Sequence, residues 1–250
     1  MISVKKIGCI LHILLNNTMN KLSYEFALCL SRHLLEADDN PECSVIIVSS
    51  ANPKTFCVGA AVDELIELSP DELDQWLDPW KSVASLSKPI IMALDGYVLG
   101  GGLEIAMMGD ILIATKRTLI GQPEIKLALL PGCGGTLHLT QLIGYHRAFE
   151  MCVTGDTVHA QKAYEWGLFN ALVEPEELLQ KALDTAQKIA SLSSPAVKAT
   201  KGLLKKLYDS DYTHQKYLDA ERKTFKDLLL RDAPEGLQAF MEKRAPSFKS

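Results

Sequence analysis

Three short, almost uninterrupted apolar runs constrain the fold of this chain more than any other feature of its sequence. The runs lie at residues 44–48, 90–94 and 111–114. Apolar runs of roughly four to eight residues are typical of strands that are buried on both faces of a sheet. Between the first two runs, apolar residues recur at helical spacing over residues 71–85. Strands that alternate with helices in this way indicate an α/β core.

The regions on either side of these runs extend the pattern. Residues 7–15 form a β-rich run, and the apolar residues that follow recur at helical spacing, which predicts a strand followed by a helix. From Tyr145 onward the pattern predicts helices without further strands. A shift in composition near residue 190 divides the chain into a predicted core, residues 1–190, and a helical C-terminal region, residues 191–250.

The composition argues against several classes of protein. The net charge is -5 and the pI is near 5.7, which argues against nucleic acid as the main ligand. The six cysteines form no CxxC pair, so we expect neither a disulfide scaffold nor a zinc site, and a reducing, cytoplasmic location is the simpler interpretation. The longest early apolar run, residues 8–15, is much shorter than the roughly 20 residues of a membrane span. We therefore expect no membrane partner.

The first candidate catalytic residue is Glu104. It follows three consecutive glycines, residues 100–102, in an apolar segment that leads from a predicted strand into a predicted helix. Glycines let backbone N–H groups approach a ligand closely, and a helix N-terminus adds its positive dipole end, so this turn suits an oxyanion. Burial in so apolar a segment would raise the pKa of Glu104 toward values useful for proton transfer. An acid that merely faces the helix dipole is the alternative interpretation.

A second acid, Glu124, follows twenty positions later. Taken alone, it also fits a solvated loop acid paired with Lys126. Three other glycine motifs are incomplete or absent. No P-loop lysine follows the glycines at 100–102, the GxGxxG pattern that starts at Gly132 lacks its third glycine, and there is no GxSxG elbow. Nucleotide hydrolysis and Rossmann-type redox chemistry are therefore disfavoured. The six histidines show no spacing typical of metal ligands.

Several motifs together resemble the enoyl-CoA hydratase (crotonase) family. They are Gly96-Tyr-Val-Leu-Gly-Gly-Gly-Leu-Glu104, Gly121-Gln-Pro-Glu124, Leu130-Pro-Gly-Cys-Gly-Gly-Thr136 and Met151-Cys-Val-Thr-Gly155, in that order. The resemblance implies an α/β fold, a spiral of repeated ββα units followed by a C-terminal helical trimerisation region. It also implies homotrimers or homohexamers, an acyl-CoA thioester as substrate, and no metal or separate cofactor, since coenzyme A is part of the substrate.

The resemblance assigns roles by position. Glu104 and Glu124 match the hydratase pair, in which one acid activates water for attack at C3 of the enoyl thioester and the other delivers a proton to C2. The backbone N–H groups of Ala60 and Gly101 match the oxyanion hole. Contacts with CoA or substrate are implied for Val58, Gly59, Gly100, Pro131, Gly132, Phe240 and Lys243. An ordinary loop around Val58 and an ordinary C-terminal helix are the alternatives.

The chain departs from the family pattern in two places. Ala61 stands where the family usually has aspartate, a residue suited to a helix N-cap, so the start of the next helix is in question. Near the N-terminus the loop is shortened and lacks the usual arginine and proline, which leaves Lys21 as a candidate contact for a CoA phosphate.

Three functions are compatible with these residues. The retained glutamate pair favours an enoyl-CoA hydratase, which adds water across the C2=C3 bond of a trans-2-enoyl-CoA to give a 3-hydroxyacyl-CoA. A Δ3,Δ2-enoyl-CoA isomerase is the nearest enzymatic alternative, because such relatives keep the oxyanion hole and often alter one acid. A catalytically silent acyl-CoA-binding homologue is the alternative from another class, and it is motivated by Ala61 and the shortened loop.

Overall fold

The structure, a computed structural model, describes residues 1–17, 19–192, 194–206, 222, 225–226, 229–230 and 233–244. Its strands are β1 (Ile2–Ile7), β2 (Ile10–Leu15), β3 (Val45–Ser50), β4 (Thr55–Cys57), β5 (Ile90–Leu94), β6 (Tyr97–Leu99), β7 (Ile111–Thr115), β8 (Leu119–Gly121), β9 (Val158–His159) and β10 (Ala171–Val173). Its helices are α1 (Tyr24–Asp39), α2 (Val62–Glu67), α3 (Pro70–Val83), α4 (Gly101–Met107), α5 (Gly135–Ile143), α6 (Tyr145–Thr154), α7 (Ala160–Glu165), α8 (Leu178–Ala190), α9 (Ser194–Lys206) and α10 (Ala233–Met241). Two 3-10 turns lie at Pro123–Leu127 and Pro175–Glu177.

The strands form two sheets that share a repeating connection. In the larger sheet β2, β3, β5, β7 and β10 run parallel, and β1 pairs antiparallel with β2 at the edge. In the smaller sheet β4, β6 and β8 run parallel, and β9 joins antiparallel to β8. Three times in succession the chain gives one strand to each sheet and then enters a helix or a 3-10 turn. The predicted spiral of ββα units is thus confirmed.

Alternate residues of the central strands pack into two different layers. On β3, Ile46 and Val48 belong to the main core with residues of α1 and α3, whereas Val45 and Ile47 pack with residues of α8 on the other face. Successive side chains of a strand point to opposite faces, and here both faces are covered. This double burial is why residues 44–48 form a continuous apolar run.

The prediction that strands cease at Tyr145 is wrong. Two short strands, β9 and β10, follow that residue. They have two and three residues and are held by pairing with β8 and β7, so neither is long enough to produce a readable period. The sequence also missed β1, which folds back on β2 through a turn at Gly8, where φ is +59°.

The helical C-terminal region follows α8, which ends at Ala190. The proposed domain division at residue 190 and the trimerisation role of residues 191–250 stay predictions. No helix of the described part of the chain combines the length and the apolar character that a membrane crossing needs.

Candidate active site

A cavity of about 620 Å³ brings together residues from distant parts of the chain. Its wall is formed by residues within segments 19–22, 58–65, 76–77, 99–104 and 123–133, with Phe225, Phe240 and Met241. Three of these segments, 58–65, 99–104 and 123–133, lie at or directly after the carboxyl ends of β4, β6 and β8 in the smaller sheet. Ligand sites are commonly concave and apolar, with a few polar groups that converge on one point. Here the convergent groups are Glu104 and Glu124.

Glu104 is held in place by the start of a second helix. The Glu104 side chain lies in the first turn of α4 and is 2% exposed. Its Oε1 atom accepts the backbone N–H of Cys133 at 2.7 Å and the backbone N–H of Gly135 at 2.8 Å. Gly135 is the first residue of α5, so the carboxylate faces the N-terminus of that helix. Two backbone donors at the start of a helix therefore fix the orientation of this carboxyl group.

Glu124 lies on the other side of the glycine turn. It sits in the 3-10 turn Pro123–Leu127 and is half-buried. A Cβ atom at residue 100 would come within 2.8 Å of Glu124 Oε1. The carboxylate therefore occupies space that exists because Gly100 has no side chain. Lys126, the ion-pair partner considered from sequence, forms its ion pair with Asp156 at 3.7 Å.

Gln122 is a residue of the site for which the sequence pattern predicted no role. Its side chain is fully buried, and with its amide nitrogen facing Glu124 it donates to Oε1 at 3.0 Å and to Oε2 at 3.1 Å. The same amide group lies 2.6 Å from the position that a Cβ atom would take at Gly135. Gln122 therefore fills the gap between the 3-10 turn and α5. The available signal was a polar side chain directly between a strand end and the candidate acid.

The predicted oxyanion-hole residues line the same cavity. Leu22 bridges the loop before α2: its N–H donates to Gly59 O at 2.9 Å, and the N–H of Ala61 donates to Leu22 O at 3.1 Å. Since successive N–H groups of an extended chain point in opposite directions, the N–H of Ala60 points away from Leu22. Gly101 is the first residue of α4, where an N–H has no partner within its own helix. Ala60 and Gly101 both lie on the cavity wall.

A glycine at residue 59 permits the approach of these two segments. Gly59 has φ +88°, and a Cβ atom there would lie 3.0 Å from Leu99 O and 3.3 Å from Gly101 N. Behind the turn, Gly102 is equally confined, since its Cβ atom would lie 2.4 Å from Cys57 O. Burial raises the pKa of the Cys57 thiol to about 12, so this side chain stays a neutral packing group.

The remaining predicted contact residues divide into two groups. Those on the cavity wall are Val58, Gly59, Gly100, Gly132, Phe240 and the candidate Lys21. Pro131 is buried beside the cavity, with its Cβ atom 2.6 Å from the Cβ position of Gly135. Lys243 lies after the end of α10 with its side chain exposed, and it is not among the described residues of the wall. The contact roles of all these residues stay predictions.

The start of α2 answers the question raised by Ala61. The helix begins at Val62 although Ala61 supplies no side-chain cap. The N–H of Glu64 donates to Ala61 O at 3.0 Å, and Asp63 and Glu64 place two acids in the first turn, where they complement the helix dipole. The loop before the helix is held by its bridge to Leu22. The helix therefore forms without the aspartate.

A two-sheet α/β spiral with two carboxylates on the wall of one cavity is the architecture of a crotonase-type enzyme. The family model for enoyl-CoA hydratase/isomerase matches residues 6–250. The chain belongs to the enoyl-CoA hydratase/isomerase family. It is 40% identical over 214 residues to a probable mitochondrial enoyl-CoA hydratase of Dictyostelium discoideum, covering 84% of this chain and 76% of that protein.

Solved structures of this fold carry more than one activity. A carnitinyl-CoA hydratase from Mycobacterium avium superposes with a TM-score of 0.86 at 28% identity, over 99% of this chain and 98% of that one. A methylmalonyl-CoA decarboxylase superposes with a TM-score of 0.87 at 27% identity, over 100% of this chain and 98% of that one. The reaction must therefore be argued from the side chains of the site.

Proposed function

We propose that the chain is an enoyl-CoA hydratase, a hydro-lyase that adds water across the C2=C3 bond of a trans-2-enoyl-CoA. The observation that carries the proposal is that both acids lie on the wall of one cavity, with the Glu124 carboxylate against Gly100 and the Glu104 carboxylate near the adjacent Gly101. Hydration needs two proton transfers, one from the attacking water and one to carbon, and two adjacent carboxyl groups can perform both. The names of the hydratase relatives support the same reaction.

In the proposed mechanism, the thioester oxygen accepts the N–H groups of Ala60 and Gly101. As water attacks C3, charge moves onto this oxygen as an enolate, and the two fixed donors stabilise it. Loss of one such donor in other enzymes has cost roughly 3 to 4 kcal/mol of transition-state stabilisation. Collapse of the enolate then takes up a proton at C2, which gives the 3-hydroxyacyl-CoA.

The two acids act as a pair whose proton is shared between the steps. One carboxylate takes the proton of the attacking water, and the other carboxyl group delivers a proton to C2. The Gln122 amide holds Glu124, and the N–H groups of Cys133 and Gly135 hold Glu104, so both carboxyl groups are oriented before substrate enters. Such preorganisation is the main way in which a site of this kind lowers a barrier.

Several further properties belong to this proposal. The substrate contacts would include Val58, Gly59, Gly132 and Phe240, with Lys21 near the coenzyme, and no metal or separate cofactor would take part. The protein would be cytoplasmic and would assemble as a homotrimer or homohexamer. Exposed apolar side chains on α6, such as Phe149 at 53% exposure, favour association. A sedimentation mass near 27.5 kDa, the mass of one chain, would contradict the assembly.

Absorbance at the conjugated enoyl-thioester band of crotonyl-CoA tests the reaction. We expect turnover by the parent protein and a loss of roughly 100-fold or more in both Glu104→Gln and Glu124→Gln, since general acid–base groups contribute about that much. Glu67→Gln, on α2 and outside the described cavity wall, is the matched control and should keep its activity. Turnover of a 3-enoyl-CoA to the conjugated isomer without hydration would favour the isomerase. Binding without any turnover would favour the silent homologue.

A further inference from the structure

The cavity wall carries a cation that the proposed reaction does not use. Lys126 lies two residues after Glu124 in the 3-10 turn Pro123–Leu127, and it lines the same cavity. Its side chain is 57% exposed, so the ammonium group is at the rim, where cavity and solvent meet. From the sequence, this lysine was a possible ion-pair partner of Glu124, and no ligand contact was predicted for it.

The Lys126 side chain packs against one glycine, Gly155, and the turn that carries it packs against a second, Gly236. A Cβ atom at Gly155 would lie 3.0 Å from Lys126 Cε and 3.3 Å from Lys126 Cγ, so the aliphatic stem of the lysine lies across Gly155. On the other side, a Cβ atom at Gly236 would lie 2.5 Å from the carbonyl carbon of Leu127, so α10 packs directly on the turn. Lysine stems commonly bury their methylene groups while the ammonium stays in water.

The ion pair of Lys126 leaves its ammonium group available to a ligand. The partner is Asp156 Oδ1 at 3.7 Å, which is beyond the usual distance of a charged hydrogen bond. The Asp156 side chain is 77% exposed, and pairs between exposed groups contribute little to stability. An anionic group of a ligand can therefore replace this aspartate at small cost.

The other charges on the wall indicate where an anion can bind. Glu104, Glu124 and Asp63 are acids on the cavity wall, and Lys21 and Lys126 are the cations among its described residues. A ligand anion is repelled from the acids and attracted to the two lysines, of which Lys126 lies in the same 3-10 turn as Glu124. We propose that Lys126 binds an anionic oxygen group of the acyl-CoA ligand. The inference rests on the proposed function, because it takes an acyl-CoA as the ligand.

Two parts of an acyl-CoA carry this chemistry, the phosphates of coenzyme A and a carboxylate at the end of an acyl chain. Calorimetric titration with saturated esters separates them and needs no turnover. The probes are butyryl-CoA, glutaryl-CoA, whose acyl chain ends in a carboxylate, and butyryl-pantetheine, which has no phosphate. We expect Lys126→Met to raise the Kd of at least one CoA ester about threefold to tenfold, the range for a partly exposed charged contact.

The pattern of loss identifies the anionic group. An equal loss for both CoA esters, with butyryl-pantetheine unchanged, assigns Lys126 to a phosphate; a loss that is larger for glutaryl-CoA assigns it to the acyl carboxylate. Lys126→Arg should bind nearly as well as the parent. Asp156→Asn, which removes the competing carboxylate, should bind slightly more tightly. Lys188→Met, an exposed lysine of α8 outside the described wall, is the control for a change of net charge.

Unchanged Kd values for both CoA esters in Lys126→Met would overturn the inference. If the parent protein binds butyryl-CoA and fails to hydrate crotonyl-CoA, the hydratase proposal fails while the inference can still stand. If the parent protein binds none of the three esters, both are wrong.

Discussion

At the scale of single residues, the site depends on side chains that are absent as much as on those present. Gly100 leaves the space that the Glu124 carboxylate occupies, and Gly59 lets the Ala60 loop approach Gly101. Gly135 does the same for Glu104, whose Oε1 would lie 3.0 Å from a Cβ atom there. The glycines therefore set the distances between the acids and the N–H groups.

Replacement of Gly100 by alanine tests this dependence. A methyl group 2.8 Å from Glu124 Oε1 must displace the carboxylate, and a displacement of about 1 Å can cost on the order of 100-fold in rate. We expect kcat of Gly100→Ala to fall by about that factor. Gly8→Ala, at another positive φ (+59°) but in the turn between β1 and β2, is the control: its Cβ atom would meet nothing within 4 Å, so it should keep its activity. A Gly100→Ala variant as active as Gly8→Ala would contradict the claim that Glu124 needs the space beside Gly100.

The sequence predicted both acids and the glycine turn, because those residues stand in compact motifs. It did not predict the bonds that orient them. Glu104 accepts N–H groups of residues 29 and 31 positions away, and such contacts depend on how α4 and α5 pack. Gln122 was not predicted because a single buried glutamine belongs to no motif with a characteristic spacing in the sequence. Sequence patterns therefore could not predict the amide and N–H groups that hold the two acids.

At the scale of elements, the helices α2 and α3, which follow the loop of residues 58–61, begin in different ways. The first, α2, has no side-chain cap at Ala61. The second, α3, has a full capping box, in which Ser69 Oγ accepts the N–H of Glu72 at 3.4 Å and the Glu72 carboxylate accepts the N–H of Ser69 at 2.8 Å. Because α3 supplies Trp76 and Leu77 to the cavity wall, its stability bears on the acyl pocket.

Loss of this cap should destabilise the fold. We expect Ser69→Ala to lower the free energy of unfolding by about 1 kcal/mol, the usual contribution of an N-cap side chain. The comparison is Ser82→Ala, the same chemical change at an exposed position in the same helix, which should be neutral or slightly stabilising. Urea unfolding followed by circular dichroism measures both. A Ser69→Ala variant as stable as Ser82→Ala would contradict the assigned cap.

Long helices and strands were predicted from the sequence, and two short strands were missed. The long amphipathic helices α1 and α3 and the apolar strands β3, β5 and β7 were predicted within a few residues, because burial imposes a period on their sequences. The short strands β9 and β10 were missed, since their pairing partners, rather than their own residues, hold them in place.

At the scale of the whole molecule, a chain of buried polar contacts joins α1, the start of β5 and α9. The Asp38 carboxylate accepts the backbone N–H of Lys88 at 2.7 Å and that of Ser87 at 3.0 Å. In return, the Lys88 ammonium donates to Ala37 O at 2.7 Å at the end of α1. The ammonium of Lys201, on α9, donates to Lys88 O at 2.7 Å. These contacts join α1 and α9 to the segment that leads into β5.

The Asp38 contacts predict a specific dependence on pH. Burial raises the pKa of Asp38, but the N–H groups of Lys88 and Ser87, the Ser87 hydroxyl and the Lys88 charge together lower it more, so the pKa lies below its usual value. The stabilisation is therefore complete above the usual pKa near 4 and is lost as the pH falls through the lower pKa of the folded state. We expect Asp38→Asn to be less stable at pH 7 and to lose less stability on acidification.

Urea unfolding between about pH 2.5 and pH 7 checks this expectation. Asp39→Asn, one residue further along and exposed, is the matched control and should follow the parent protein. If Asp38→Asn and the parent lose stability in parallel below pH 4, Asp38 does not contribute to the loss of unfolding free energy at acid pH.

The central claim concerns the whole site: water adds to C3 of an enoyl-CoA under the control of two glutamates held across one glycine turn. The most direct test incubates crotonyl-CoA with the protein in water enriched in ¹⁸O and analyses the product by mass spectrometry. We predict 3-hydroxybutyryl-CoA with one ¹⁸O atom at C3, formed by the parent protein and lost in both Glu104→Gln and Glu124→Gln. A parent protein that binds acyl-CoA but forms no labelled 3-hydroxyacyl product, or a product that persists in either variant, would contradict the account.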